Sequence, residues 1–286
     1  MKPSAMKMLL ILLSFSLVLI SCKKEPTSKP SKQQTFYGVS YGPHQRHKMD
    51  ICLPKDRNEN TPVVIFIHGG AWVFGDKSVF HTEMREFAEA GIACATINYR
   101  YASDFHGVHH PMLPQDVALA VEYISRKAGD WSIAPSSFGL VGHSAGGHLA
   151  LLTAYSFNTG KIKAVSSWAG PLDFLDVDQL EISSSGDVFA TYIGSGLNSS
   201  NDTLIYAQAS PYYAVHSGAV PTQLIYATDD TGIPYSNGLK MNEKLVLLGI
   251  QNEFVSQQGA GHIWFGNHLK NARSKTMEWF QSKLIP

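Results

Sequence analysis

Cysteine is nearly missing from this chain. There are three in 286 residues, Cys22, Cys52 and Cys94, too few to staple a fold with disulfides. Excess charge of either sign is missing too. Lys plus Arg and Asp plus Glu both total 23, so no basic surplus marks a nucleic-acid footprint, and nucleic acid is excluded as a partner. No internal repeat is present, and the composition is not that of a disordered, collagen-like or coiled-coil chain. What is there is ordinary globular material, 44% hydrophobic with 24 Gly and 14 Pro. Its length suits one large α/β domain or two small ones and allows a substantial core.

The first residues are expected to lie outside the fold. Lys2 and Lys7 precede an apolar run of 13 residues, Met8–Ile20, which ends at Ser21-Cys22. A membrane span takes roughly 20 apolar residues; a positive start, a short apolar run and a small residue at its end read as a secretory signal over 1–21. Leu19-Ile20-Ser21-Cys22 resembles a bacterial lipoprotein box. The resemblance implies lipidation of Cys22, export, and a membrane anchor, with Lys23 similar to the sorting signal of lipoproteins sent to a Gram-negative outer membrane. Residues 22–34 continue as KKEPTSKPSKQQ after the cysteine, a polar, Pro-containing composition suited to a tether and too hydrophilic to pack. Cys52 and Cys94 fall in expected strands and read as small apolar fillers.

From residue 35 to 286 short apolar runs alternate with helical patterns. Strands are expected over 36–41, 48–53, 62–67, 92–98, 138–141, 164–168, 223–227 and 253–256. Helices are expected over 79–90, 115–127, from 147 through 155, 236–248 and 267–283. PVVIFI at 62–67 reads as a strand buried on both faces, and Val117, Ala120, Val121 and Ile124 keep helical spacing. Residues 172–215, rich in Ser, Asp and Gly, read as irregular. An antiparallel start followed by this alternation predicts one α/β domain over 35–286: a mostly parallel, doubly wound sheet with helices on both faces. Ligands of such sheets sit beyond the carboxyl ends of the strands.

The motifs fall at those ends. Gly142-His143-Ser144-Ala145-Gly146 is a G-x-S-x-G sequence between a strand and a helix. A sharp turn there exposes the Ser144 hydroxyl at a helix N-terminus, which favours developing negative charge. His68-Gly69-Gly70-Ala71-Trp72 follows the 62–67 strand; its small residues let backbone N–H groups face a tetrahedral oxyanion. Gly70 and Ala71 are the expected donors there, joined by Ala145, with Gly69 serving the turn. The base candidate is His262, on the Gly-flanked loop after the last strand. Two neighbouring aspartates, Asp229 and Asp230, compete to orient it.

These motifs make the chain resemble the α/β-hydrolases, of the carboxylesterase and acetyl- or feruloyl-esterase type. The resemblance implies a Ser144-His262-Asp230 triad working through an acyl-enzyme, because the acid usually stands four residues before a proline, here Pro234. It implies a serine carboxylic ester hydrolase without cofactor or metal, acting on small or polysaccharide-linked esters with a short acyl or feruloyl group. Two departures stand out: Ala71 replaces the third glycine of the oxyanion motif, and Tyr226-Ala227 replaces the usual His-Gly before the acid. Two other functions stay open, an arylformamidase- or peptidase-like amide hydrolase and a non-catalytic carbohydrate-binding lipoprotein. Trp72 and Trp264 are candidate pocket walls, and residues 172–205 the candidate lid. His148, one helical turn after Ser144, reads as packing. His106, His109 and His110 read as a solvated loop and not as a metal site.

Overall fold

The computed structural model describes residues 32–176, 186–194, 196–197 and 200–285. The expected signal peptide, Cys22 and most of the tether lie outside these residues, as does part of the candidate lid. Eight strands form one sheet in the order β1-β2-β4-β3-β5-β6-β7-β8. They are β1 (Gln34–Ser40), β2 (Lys48–Leu53), β3 (Val63–Ile67), β4 (Ala93–Ile97), β5 (Phe138–His143), β6 (Ile162–Trp168), β7 (Thr222–Ala227) and β8 (Asn252–Gln257). β1 and β2 run antiparallel and every pairing from β4 to β8 is parallel, as the alternation implied.

The strands at the centre explain themselves. β3 and β4 bury every residue, which a strand covered on both faces requires and which their β-branched and small side chains permit. The covering helices are α1 (His81–Glu89), α2 (Met112–Trp131), α3 (Ala145–Ser156), α7 (Tyr235–Leu247) and α8 (Gly266–Leu284). One core packs α2, α3 and α7 against a face of the sheet, through residues such as Val117, Leu149 and Met241. The other packs α1 and α8 against the opposite face, through Phe66, Phe87 and Phe280. Cys52 and Cys94 are directly opposed on β2 and β4, buried and unbridged.

Two differences from the sequence reading have physical causes. α2 is longer at both ends than 115–127. Pro111 and Pro114 sit at its start, where the first-turn N–H groups need no intrahelical partner. Its end reaches Ser132, which adopts a left-handed conformation and donates back to Ala128 and Gly129. The stretch 172–215, expected to be irregular, carries three short helices: α4 (Gly186–Ile193), α5 (Thr203–Gln208) and α6 (Pro211–Ala214). Their local propensity is weak; burial of Phe189, Tyr192 and Tyr206 holds them down.

Candidate active site

Ser144 stands at the β5–α3 junction with φ 55° and ψ −124°, a backbone conformation that costs a non-glycine residue on the order of 1–3 kcal/mol. Surrounding groups over-determine it. Its N–H donates to the Trp168 carbonyl of the neighbouring strand (2.8 Å), and helix α3 starts immediately after. Gly146 is obligatory: a Cβ there would lie 2.0 Å from the Ile67 carbonyl oxygen. The elbow is therefore built by close approach of α3 to the end of β3, and only hydrogen fits between them.

The structure brings Ser144, His262 and Asp230 together from three strand ends. The Ser144 hydroxyl donates to His262 Nε2 at 2.9 Å, and His262 Nδ1 donates to Asp230 Oδ2 at 2.8 Å. Asp230 Oδ1 accepts the N–H groups of Gly232 (2.7 Å) and Ile233 (2.9 Å), so both oxygens are committed and the side chain is fully buried. Asp229 points elsewhere. It is exposed, and its Oδ1 accepts the Gly261 N–H at 3.1 Å, bracing the loop that carries His262.

The 68–72 loop wraps over Ser144. Ala71 and Trp72 both adopt left-handed conformations (φ 45° and 62°). Gly70 has φ 112°, and a Cβ on it would meet the Phe74 carbonyl oxygen at 2.2 Å. Ala71 and Ala145, together with Trp72, Phe189, Ile233 and His262, line a cavity of about 170 Å³ over Ser144. Gly70 lines a separate, neighbouring cavity. Trp72 is a buried wall of the Ser144 cavity, stacked on Tyr192 at 4.7 Å. Trp264 faces the other cavity with Gly70.

Three histidines that sequence reasoning did not assign to the site support it. His148 accepts the Trp72 indole N–H on Nδ1 (3.2 Å) and donates from Nε2 to the Ala209 carbonyl (2.7 Å), tying the loop to α3. His143 donates from Nε2 to the His262 carbonyl (2.8 Å), holding the base from behind. His68 stacks on Tyr99 at 4.4 Å and donates from Nδ1 to the Gly69 carbonyl (2.7 Å). Burial pushes His68 and His143 down to about 4 and His148 to about 3, so all three are neutral struts at pH 7. The only sequence signal for them was adjacency to the two motifs. His109 and His110 are not a solvated pair either: His109 Nδ1 donates to the Thr191 carbonyl (3.0 Å) and His110 lies 3.3 Å from the Tyr192 hydroxyl, so both dock on α4. Among the described residues no group of three His, Cys, Asp or Glu side chains is arranged to hold a metal.

A pH dependence of stability follows from these three buried imidazoles. Their folded pKa values lie below the usual 6.5, so between pH 6.5 and about 4 the unfolded chain binds more protons and stability falls with falling pH. At pH 5, His68, His143 and His148 should each cost on the order of 2 kcal/mol relative to neutral pH. Urea unfolding at pH 7 and pH 5 measures the sum over all such groups, and His148→Phe should remove the share of one imidazole, on the order of 2 kcal/mol. Identical unfolding midpoints at the two pH values would contradict these assignments.

A mostly parallel sheet with a strained serine elbow after β5, a buried carboxylate after β7 and a histidine after β8 defines the class: this is an α/β-hydrolase fold. The chain belongs to the BD-FAE family, whose sequence profile matches residues 49–245. Among curated proteins it is 26% identical over 265 residues to the probable isoprenylcysteine alpha-carbonyl methylesterase ICME of Oryza sativa subsp. japonica, covering 86% of this chain and 63% of that protein. It is also 26% identical to Esterase LipC of Mycobacterium tuberculosis, over 78% of this chain and 58% of the relative. The chain thus spans less than two thirds of these relatives. Among solved structures, a truncated carbohydrate esterase from gut microbiota superposes with a TM-score of 0.76 at 21% identity, covering 91% of this chain and 99% of that one. Esterase B of Lactobacillus rhamnosis gives 0.70 at 17% identity, over 89% and 88%. At these identities the structural likeness speaks for the fold.

Proposed function

We propose that this protein is a serine esterase that hydrolyses carboxylic esters with short acyl groups. The observation that carries the reading is the continuous hydrogen-bonded chain from the Ser144 hydroxyl through His262 to Asp230, placed under a loop with small residues. Asp230 fixes the imidazole with its proton on Nδ1, leaving Nε2 to take the Ser144 proton as the hydroxyl oxygen attacks the ester carbonyl. Negative charge develops on the carbonyl oxygen, where the N–H groups of Gly70, Ala71 and Ala145 and the N-terminus of α3 stabilise it. Collapse expels the alcohol, which takes the proton from His262. Water then attacks the acyl-Ser144 ester, delivering its proton to His262 and its hydroxyl to the acyl carbon; His262 returns that proton to the Ser144 oxygen as the carboxylic acid leaves.

The 170 Å³ cavity over Ser144 holds roughly five or six water-sized groups. That suits an acetyl to butyryl chain and leaves little space for a long one. The carbohydrate esterase among the structural neighbours supports acetylated polysaccharide or its fragments as the substrate. A lipid on Cys22 and the tether over 22–34 suit an exported enzyme working at a membrane surface on such material.

The test is turnover of p-nitrophenyl acetate, butyrate and decanoate, with methyl ferulate and an anilide alongside. The expected order is acetate and butyrate above decanoate by at least tenfold, with the anilide slowest. Faster cleavage of the anilide would favour an amide hydrolase, and methyl ferulate outpacing acetate would overturn the short-acyl preference.

A further inference from the structure

Arg46 meets the site from outside it. β1 and β2 are antiparallel, as are β2 and β4, so β1 points the same way as the parallel strands. Its turn into β2, which carries Arg46, therefore lies at their carboxyl ends. Arg46 Nε donates to the Tyr99 carbonyl at 2.7 Å. Its Nη2 stands 3.3 Å from the Gly75 carbonyl oxygen and 3.4 Å from His68 Nε2. The guanidinium carbon sits 3.5 Å over the centre of the Tyr101 ring, whose hydroxyl donates to the same Gly75 carbonyl.

These contacts decide the tautomer of His68. A guanidinium has donors only, so the nitrogen facing it, Nε2, carries the lone pair and the proton sits on Nδ1. Burial and the neighbouring guanidinium charge keep the imidazole neutral. The tautomer in turn orients a peptide. His68 Nδ1 donates to the Gly69 carbonyl at 2.7 Å. Gly75, at φ 109°, closes over that bond, and a Cβ on it would lie 2.5 Å from the Gly69 oxygen. The peptide between Gly69 and Gly70 is trans, so its N–H points opposite to its C=O and away from His68. Neither that Gly70 N–H nor the one of Ala71 finds an acceptor among the described residues, whereas those of Val73 and Phe74 both close on the Gly70 carbonyl at 3.0 Å. Free N–H groups beside the nucleophile are what a developing oxyanion needs.

We infer that Arg46 is a positioning residue for the oxyanion hole: it holds His68 with its proton on Nδ1, and His68 holds the Gly69–Gly70 peptide so that the Gly70 N–H stays free for the oxyanion. The inference rests on the ester-cleaving role proposed for Ser144. Without a donor facing Nε2, the imidazole proton can move there. The bare Nδ1 then repels the Gly69 carbonyl oxygen. Rotation of the peptide relieves this by turning the Gly70 N–H toward Nδ1, which takes a donor out of the hole. The loss falls on the tetrahedral transition state and not on the bound ester, so it appears in kcat.

The experiment compares the unmodified chain with Arg46→Met and Arg46→Lys on p-nitrophenyl acetate. Long-range proton–nitrogen NMR reads the His68 tautomer at pH 7, its signal assigned by its absence in His68→Asn. Methionine keeps much of the bulk without a donor, and lysine keeps a cation that only donates. The unmodified chain should show a protonated Nδ1 and a bare Nε2. Arg46→Met should lower kcat roughly 10- to 100-fold with KM within about threefold, a part of what loss of a whole oxyanion donor costs. It should also raise the share of His68 protonated on Nε2, and Arg46→Lys should recover most of the lost rate. Circular dichroism checks that the variants fold, and the tautomer of the unmodified chain is read without any variant. A proton on Nε2 in the unmodified chain would overturn the proposal. So would a folded Arg46→Met variant with undiminished kcat, a change confined to KM, or an Arg46→Lys variant no faster than Arg46→Met. Should the unmodified chain turn over no ester, the esterase reading itself fails; an active chain that tolerates Arg46→Met fails the positioning role alone.

Discussion

Replacing Ser144 by alanine should lower kcat for p-nitrophenyl acetate by roughly 10⁴–10⁶, the loss seen when a catalytic nucleophile is removed from an intact serine hydrolase site. The fold should survive. Alanine at φ 55° meets much the same strain as serine, and the Ser144 N–H bond to Trp168 is a backbone contact that the substitution keeps. The melting temperature should therefore move by no more than a few degrees, which separates loss of the nucleophile from loss of structure. Labelling by a fluorophosphonate probe gives a second readout: the unmodified chain should be labelled once, and the alanine variant should not be labelled. A variant that keeps activity within tenfold of the parent would place the nucleophile elsewhere and with it the role given to His262. A folded parent chain that neither turns over esters nor reacts with the probe would bring the carbohydrate-binding reading back to the front.

The parts of this molecule that could be read from sequence are those where one physical constraint dominates. The buried central strands were legible because burial on both faces demands continuous apolar runs, as in VVIFI of β3. Ser144 was legible because α3 can approach β3 only where Gly142 and Gly146 leave hydrogens in place of side chains. The second α/β feature, a base on a Gly-flanked loop after the last strand, followed from where such sheets bind ligands. The walls of the site were not legible. Phe174, Phe189 and Tyr192 pack around Trp72, but Phe189 and Tyr192 come from a helix with no strong local signal, held by tertiary burial that no short window of sequence contains. His148 illustrates the same limit. Its spacing after Ser144 could be counted, but the indole N–H it accepts comes from a residue 76 positions away.

The choice between the two aspartates is where structure adds most to the motif, and it yields the second large effect. Asp230→Asn should reduce kcat/KM by about 10⁴, whereas Asp229→Asn should stay within threefold of the parent. The asymmetry comes from what each carboxylate touches. Asp230 Oδ2 accepts the imidazole N–H, and Oδ1 is already taken by two backbone donors, Gly232 and Ile233. An asparagine must keep its oxygen toward those two N–H groups, which turns its NH₂ toward His262 Nδ1. A donor facing Nδ1 stabilises the tautomer protonated on Nε2, and that imidazole cannot accept the Ser144 proton. It also withdraws the negative charge that stabilises the imidazolium formed in the transition state. Asp229 makes one bond, to the Gly261 N–H at the surface, which an asparagine oxygen can make equally well. Steady-state kinetics of the two variants on p-nitrophenyl acetate decides the matter, with His262→Ala as the reference for full loss. The opposite ranking would mean that the 261–262 loop shifts when substrate binds, bringing Asp229 to the imidazole and leaving Asp230 as a cap for the turn at Gly232.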